Sequence, residues 1–92
     1  MNSDVKSTRL SASGTIFGGP SRVKMVWVVG GAAAGTVTIK DGGSGGASVA
    51  VLDIPAGVGG GHHITMPEDG LRCSTDSYAT LAGVGFATVF YA

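Results

Sequence analysis

The chain has 92 residues, with six Lys and Arg balanced by six Asp and Glu and with 17 glycines. That length suits one domain with a thin core, and a neutral chain with few, scattered basic residues excludes a nucleic-acid partner. One cysteine excludes an internal disulfide and a Cys-rich zinc site, and no apolar run reaches the ~18 residues of a membrane span.

The start, Met1-Asn2-Ser3-Asp4-Val5-Lys6, is polar, so no secretory signal is expected and synthesis is placed in the cytoplasm. Residues 1–16 are rich in Ser and Thr, and Leu10 and Ala12 share a face. They read as an N-terminal arm holding one edge strand. The turn Phe17-Gly18-Gly19-Pro20 follows, and residues 17–92 read as a single sandwich domain.

In Arg22-Val23-Lys24-Met25-Val26-Trp27-Val28-Val29 the odd positions are all apolar, the alternation of a strand with one buried face. This places Trp27 in the core. Gly30-Gly31-Ala32-Ala33-Ala34-Gly35-Thr36 has the glycines of a phosphate loop, but Thr36 stands where a Walker lysine would be, and a strand follows rather than a helix. It reads as a tight hairpin loop.

Val37 and Ile39 point inward from the next strand, with Thr36, Thr38 and Lys40 outward. Residues 41–46 form a glycine-rich hairpin tip. A strand over residues 48–54 stops at Pro55, and a second glycine-rich connection runs to Gly61. His62-His63-Ile64-Thr65-Met66 is a short strand, and Pro67-Glu68-Asp69-Gly70 carries turn chemistry. Strands over 71–74 and 77–81, a Gly83-Val84-Gly85 turn and a final strand over 86–92 complete the chain. The sum is an all-β fold of about eight short antiparallel strands in a β-sandwich or jelly roll, with no significant helix.

Chemistry-bearing residues are few. His62 and His63 are adjacent in a strand, so they point to opposite faces and cannot chelate one ion. Cys73 alternates with Leu71 and reads as a small buried hydrophobe. No Gly-x-Ser-x-Gly elbow is present. The carboxylates Asp41, Asp53, Glu68, Asp69 and Asp76 read as turn caps; an inward Asp53 would need Arg72 or Lys40 as partner. No catalytic residue, metal ligand or cofactor is assigned. The candidate interface residues are His62, His63, Tyr78, Tyr91, Arg22 and Arg72. A thin Ala/Val core and few charges to guard strand edges imply a homo-oligomer.

The run Thr38-Ile39-Lys40-Asp41-Gly42-Gly43, then Val51-Leu52-Asp53-Ile54-Pro55-Ala56-Gly57, Ile64-Thr65-Met66-Pro67-Glu68-Asp69-Gly70-Leu71-Arg72, Tyr78-Ala79-Thr80-Leu81 and Val89-Phe90-Tyr91-Ala92 resembles the small β-sandwich virion proteins of tailed bacteriophages. The likeness covers residues 22–92. It implies a non-enzymatic structural protein of the virion. One form is a jelly-roll capsid decoration (cement) protein that sits as a trimer on the major capsid protein at the capsid surface. The other is a component of a tail or fibre. Apart from the resemblance, a carbohydrate-binding module in such a place would need exposed aromatics on one sheet face, for which Tyr78 and Tyr91 are the candidates. No membrane and no nucleic acid enter either form.

Overall fold

The computed structural model describes residues 5–57, 60–66 and 70–92. Parts of three expected features, the arm (1–4), the second glycine-rich connection (58–59) and the Pro67-Glu68-Asp69 turn, lie outside the described residues. Nine strands are present: β1 (Lys6–Leu10), β2 (Gly14–Phe17), β3 (Ser21–Gly30), β4 (Gly35–Asp41), β5 (Ala47–Ile54), β6 (Gly61–Thr65), β7 (Leu71–Cys73), β8 (Ser77–Ala82) and β9 (Val84–Tyr91). They form two antiparallel sheets packed face to face. The first has the order β1-β9-β3-β6 with β7 continuing beside β3; the second has the order β2-β8-β4-β5.

These orders follow from nested pairing. β4 pairs with β5, β3 with β6 and β7, β2 with β8, and β1 with β9. The chain is one long hairpin with its tip at residues 42–46, rolled up so that successive layers alternate between the sheets. With β6 and β7 counted as one interrupted strand, this is the eight-stranded jelly roll. The sandwich expectation is met, with two strands where the sequence suggested one before Phe17. β1 is an edge of the first sheet and β2 an edge of the second. Thr8 Oγ1, on β1, donates to the Ile16 carbonyl on β2 at 2.9 Å and ties the two sheets at that corner.

The core lies between the sheets. Val26, Val28 and Val89 from the first sheet meet Val37, Ile39 and Ala79 from the second, all fully buried. Val37 and Ile39 sit where their alternation placed them. A hydroxyl pair spans the core at one end, with Ser21 Oγ donating to Ser77 Oγ at 2.9 Å. The accessible surface, 4917 Å², is close to the ~4,850 Å² that area scaling gives a compact monomer of 9.0 kDa.

β3 departs from its expected alternation. Its register with β9 shifts between Val23 and Met25, so Lys24 is an extra residue in the strand. A bulge of one residue moves every later side chain to the opposite face. Val23 is buried, and beyond the bulge Val26 and Val28 point inward while Trp27 is 38% exposed. Trp27 is therefore a surface residue, and its core assignment is corrected.

The loop over residues 30–36 is also not a hairpin, because β3 and β4 belong to different sheets. It crosses from one sheet to the other, and so does Gly83 between β8 and β9. The two crossings touch backbone to backbone. A Cβ on Gly35 would collide with the Ala82 carbonyl oxygen, and one on Gly31 with that of Gly83. Gly83 itself has φ 73. The phosphate-loop look of this segment thus has a steric cause.

The hairpin tip is fastened to the turn between β7 and β8 by two carboxylates working in opposite directions. The amides of Ser74, Thr75 and Asp76 donate to Asp41 at 3.0, 2.9 and 3.4 Å. The amides of Gly42 and Gly43 donate to Asp76 Oδ1 at 2.9 and 2.8 Å. The Thr75 and Ser74 amides, and after them that of Asp76, hold the Asp41 carboxyl below its ordinary pKa. A carboxyl lowered in the folded state stabilises the fold above the unfolded pKa and ceases to do so as pH falls through the folded one. Asp41→Asn is therefore expected to lower Tm at pH 7, with the gap to the parent closing below about pH 4. Circular-dichroism melts between pH 7 and 2 measure this; a gap that stays constant with pH would contradict it.

Candidate functional site: the outer face of the first sheet

The first sheet turns Val26, Val28, Ala87 and Val89 inward, so its alternate residues make an outer face. Three registers run across it. Arg9 lies beside Thr88, Thr88 beside Trp27, and Trp27 beside His63. Ser7, Phe90, Met25 and Thr65 form the next row. At one end of the sheet Arg22 lies directly opposite Arg72.

Trp27 is held in a defined pose. The indole lies across the Cα of Gly61, where any Cβ would collide with its six-membered ring. His63 meets the indole edge-on, with ring centroids 4.6 Å apart and planes at 61°. One side of the indole is thus covered by backbone, and the side chain stays partly open to solvent. Two residues along β9 from Thr88, and opposite Val29, Phe86 is 42% exposed, and the Arg9 guanidinium sits over its ring at 4.4 Å from the centroid.

Among the described residues, charge on this face has one sign. Arg9, Arg22 and Arg72 project from it, and no described residue on it carries a carboxylate. The described carboxylates Asp41, Asp53 and Asp76 belong to the second sheet and its turns. Like charges directly opposite in a ladder destabilise it, and the Arg22–Arg72 pair is such a case. The two border a shallow cleft of about 350 Å³ with Pro20, Ser21, Cys73 and Ala92.

The six residues expected at an interface are thereby sorted. Arg22, Arg72 and His63 share this face. His62 is on the inward side of β6 and half-buried, so the two histidines do point apart. Tyr78 lies on the outer face of the second sheet, opposite Lys40. Tyr91 is 9% exposed, with its ring stacked on Phe17 at 5.3 Å; its pairing with Tyr78 as a surface platform is corrected. Sequence reasoning missed Trp27, Phe86 and Arg9. The loss of alternation at Val26 and Val28 was the sign of the bulge that exposes Trp27.

Elsewhere the chemistry is sparse. Asp53 is exposed and needs no inward partner. It is the one charged group at a larger cleft of about 650 Å³, whose other walls are chiefly backbone and small side chains. Among the described residues no three of His, Cys, Asp or Glu gather as metal ligands. Cys73 is fully buried, its Sγ 4.0 Å from the Lys40 carbonyl. Burial, then the charges of Asp41 and Asp76, push its thiol pKa up. Native protein at pH 8 is expected to resist a thiol reagent such as Ellman's, and to react only as denaturant unfolds it. Rapid labelling without denaturant would contradict this.

Comparison with known proteins finds no matching family, curated protein or solved structure.

Proposed function

We propose that this chain is a non-enzymatic structural protein of a tailed-phage virion, a capsid decoration protein that oligomerises and attaches to the major capsid lattice. The observation that carries the reading is the state of the sandwich edges. An open strand edge invites another strand unless it is charged, short or bent. β1 carries Lys6 and Arg9. β2 has four residues and a register shift. The edge formed by β6 and β7 is interrupted. β5 is the least guarded of the edges: eight residues, Ala-Ser-Val-Ala-Val-Leu-Asp-Ile, with Asp53 near its end as the sole charge, Val51 57% exposed, and one bulge at Val49 in its ladder with β4.

A long edge with a single charge, on a sandwich whose other edges are short, charged or interrupted, is a place for a neighbouring copy. A closed ring of three, the state that the resemblance implies, needs a heterologous contact, so β5 meets a different edge of its neighbour. The monomer-like surface area means that packing alone does not demand a partner, and the argument rests on this edge.

The test is light scattering and co-sedimentation with expanded empty phage capsids. The expected result is a trimer that pellets with capsids, and a monomer when Val49 and Val51 are both replaced by Lys. A parent chain that is monomeric and never pellets with capsids would overturn the reading.

A second reading, a tail or fibre module that adheres to carbohydrate, is favoured by one observation, the exposed Trp27 platform beside Arg9 and His63. It uses a different surface from β5.

A further inference from the structure

We propose that the outer face of the first sheet binds an acidic polysaccharide, with a pyranose ring stacked on Trp27 and its carboxylates paired with Arg9, Arg22 and Arg72. The inference rests on the adhesion reading of this face and supplies its ligand class.

Three features select this ligand. The first is the pose of Trp27. An indole laid over a glycine and braced by His63 is a rigid stacking surface, so little conformational freedom is lost when a ring settles on it. The C–H face of a pyranose is an apolar plate that fits such a surface.

The second is the mixing of polar and aromatic groups. In one row Thr88 and then Arg9 lie on one side of Trp27 and His63 on the other, and Arg9 also covers Phe86. Hydrogen-bonding groups beside each aromatic suit a ligand whose hydroxyls ring an apolar plate.

The third is charge. Arg9, Arg22 and Arg72 face no described carboxylate, and the Arg22–Arg72 opposition costs the fold stability with no described group to offset it. A carboxylate between them relieves the repulsion and takes paired hydrogen bonds from planar guanidinium groups. Arg22 lies about 16 Å from Trp27 along β3, counting ~3.3 Å per residue. A single sugar cannot reach both, whereas a short chain of acidic sugars can. A single-stranded nucleic acid would also offer rings and negative charge, but it needs successive stacking platforms along a basic track. This face has one braced indole, with Arg9 in its row and Arg22 and Arg72 together at one end of the sheet.

The experiment titrates the intact protein with three probes: a polygalacturonate oligosaccharide, a neutral dextran oligosaccharide and a single-stranded oligonucleotide. Binding is read by calorimetry and by the fluorescence of Trp27, the single tryptophan. The expected result is binding of the polyuronate that shifts Trp27 emission and weakens with added salt, with dextran at least tenfold weaker. Trp27→Ala is expected to lose on the order of thirtyfold in affinity, as for a central aromatic contact, and Trp27→Phe to retain most of it. Arg72→Gln is expected to lose on the order of tenfold, the worth of a charge-assisted hydrogen bond, for the polyuronate alone. Circular dichroism establishes that each variant is folded.

Equal affinity for dextran and polyuronate would overturn the acidic ligand class and leave the adhesion reading standing. Failure of both sugars to bind would overturn both. Preference for the oligonucleotide, or an Arg72→Gln variant with parental affinity, would overturn the proposal.

Discussion

Replacing Ile39 with alanine is expected to cost about 3 kcal/mol, within the range for truncating a buried isoleucine. Ile39 is the largest fully buried side chain among the described residues. It sits on β4, which has β5 on one side and β8 on the other, and faces the valines of the first sheet. Neighbours held by two ladders cannot collapse into the space it leaves, so the cavity persists. A domain of this size holds about 5–14 kcal/mol in all, so the loss is a large share. Tm is expected to fall by roughly 12–24 °C. Val51→Ala, on an exposed position of the adjacent strand, is expected to change monomer stability by under about 0.5 kcal/mol. Urea denaturation at a concentration where the protein is monomeric measures both. A similar cost for the two would show that the core does not lie between the sheets as described.

Gly35→Ala is expected to cost a comparable amount, about 3 kcal/mol, by a different mechanism. No apolar area is lost. The added methyl group meets the Ala82 carbonyl oxygen, an atom fixed by the ladder in which Thr36 pairs with Ala82. Relief requires the crossing over residues 30–36 to move away from the crossing at Gly83, which parts the sheets at that end. Ala33→Gly, at an exposed position in the same loop, is expected to stay within about 1 kcal/mol of the parent, the usual cost of added chain freedom. Parental stability in Gly35→Ala would mean that the two crossings are not in contact.

These two positions also separate what the sequence could tell from what it could not. Ile39 was legible because Thr36-Val37-Thr38-Ile39-Lys40 alternates without interruption, and alternation is a local property of strands. Gly35 was not, because a glycine-rich loop looks the same whether it turns back within a sheet or crosses to another. Of the loops between the described strands, residues 42–46 turn back within one sheet and residues 31–34 do not. Trp27 was misplaced for a related reason: one additional residue at Lys24 reverses the strand, and its only local mark is that Val26 and Val28 break the polar half of the alternation. Gly61 makes room for the Trp27 indole, but 34 positions separate them, so only the folded ladder shows the connection. Asp41 and Asp76 were legible as turn caps, but not as caps of each other's turns.

The nested pairing has a consequence for how the molecule reaches its native state. Bringing chain segments together costs more entropy the more residues lie between them. The β4–β5 pair closes over the short tip alone and can form early. With it in place, β3 and the β6–β7 segment are closer together than in the open chain, and β8 then finds β2. β1 and β9, which join Lys6 to Tyr91, close last and over the greatest separation. During synthesis β1 thus waits for β9. Contacts this distant in sequence place the chain among slow folders, with its N-terminal segment the longest exposed to wrong partners.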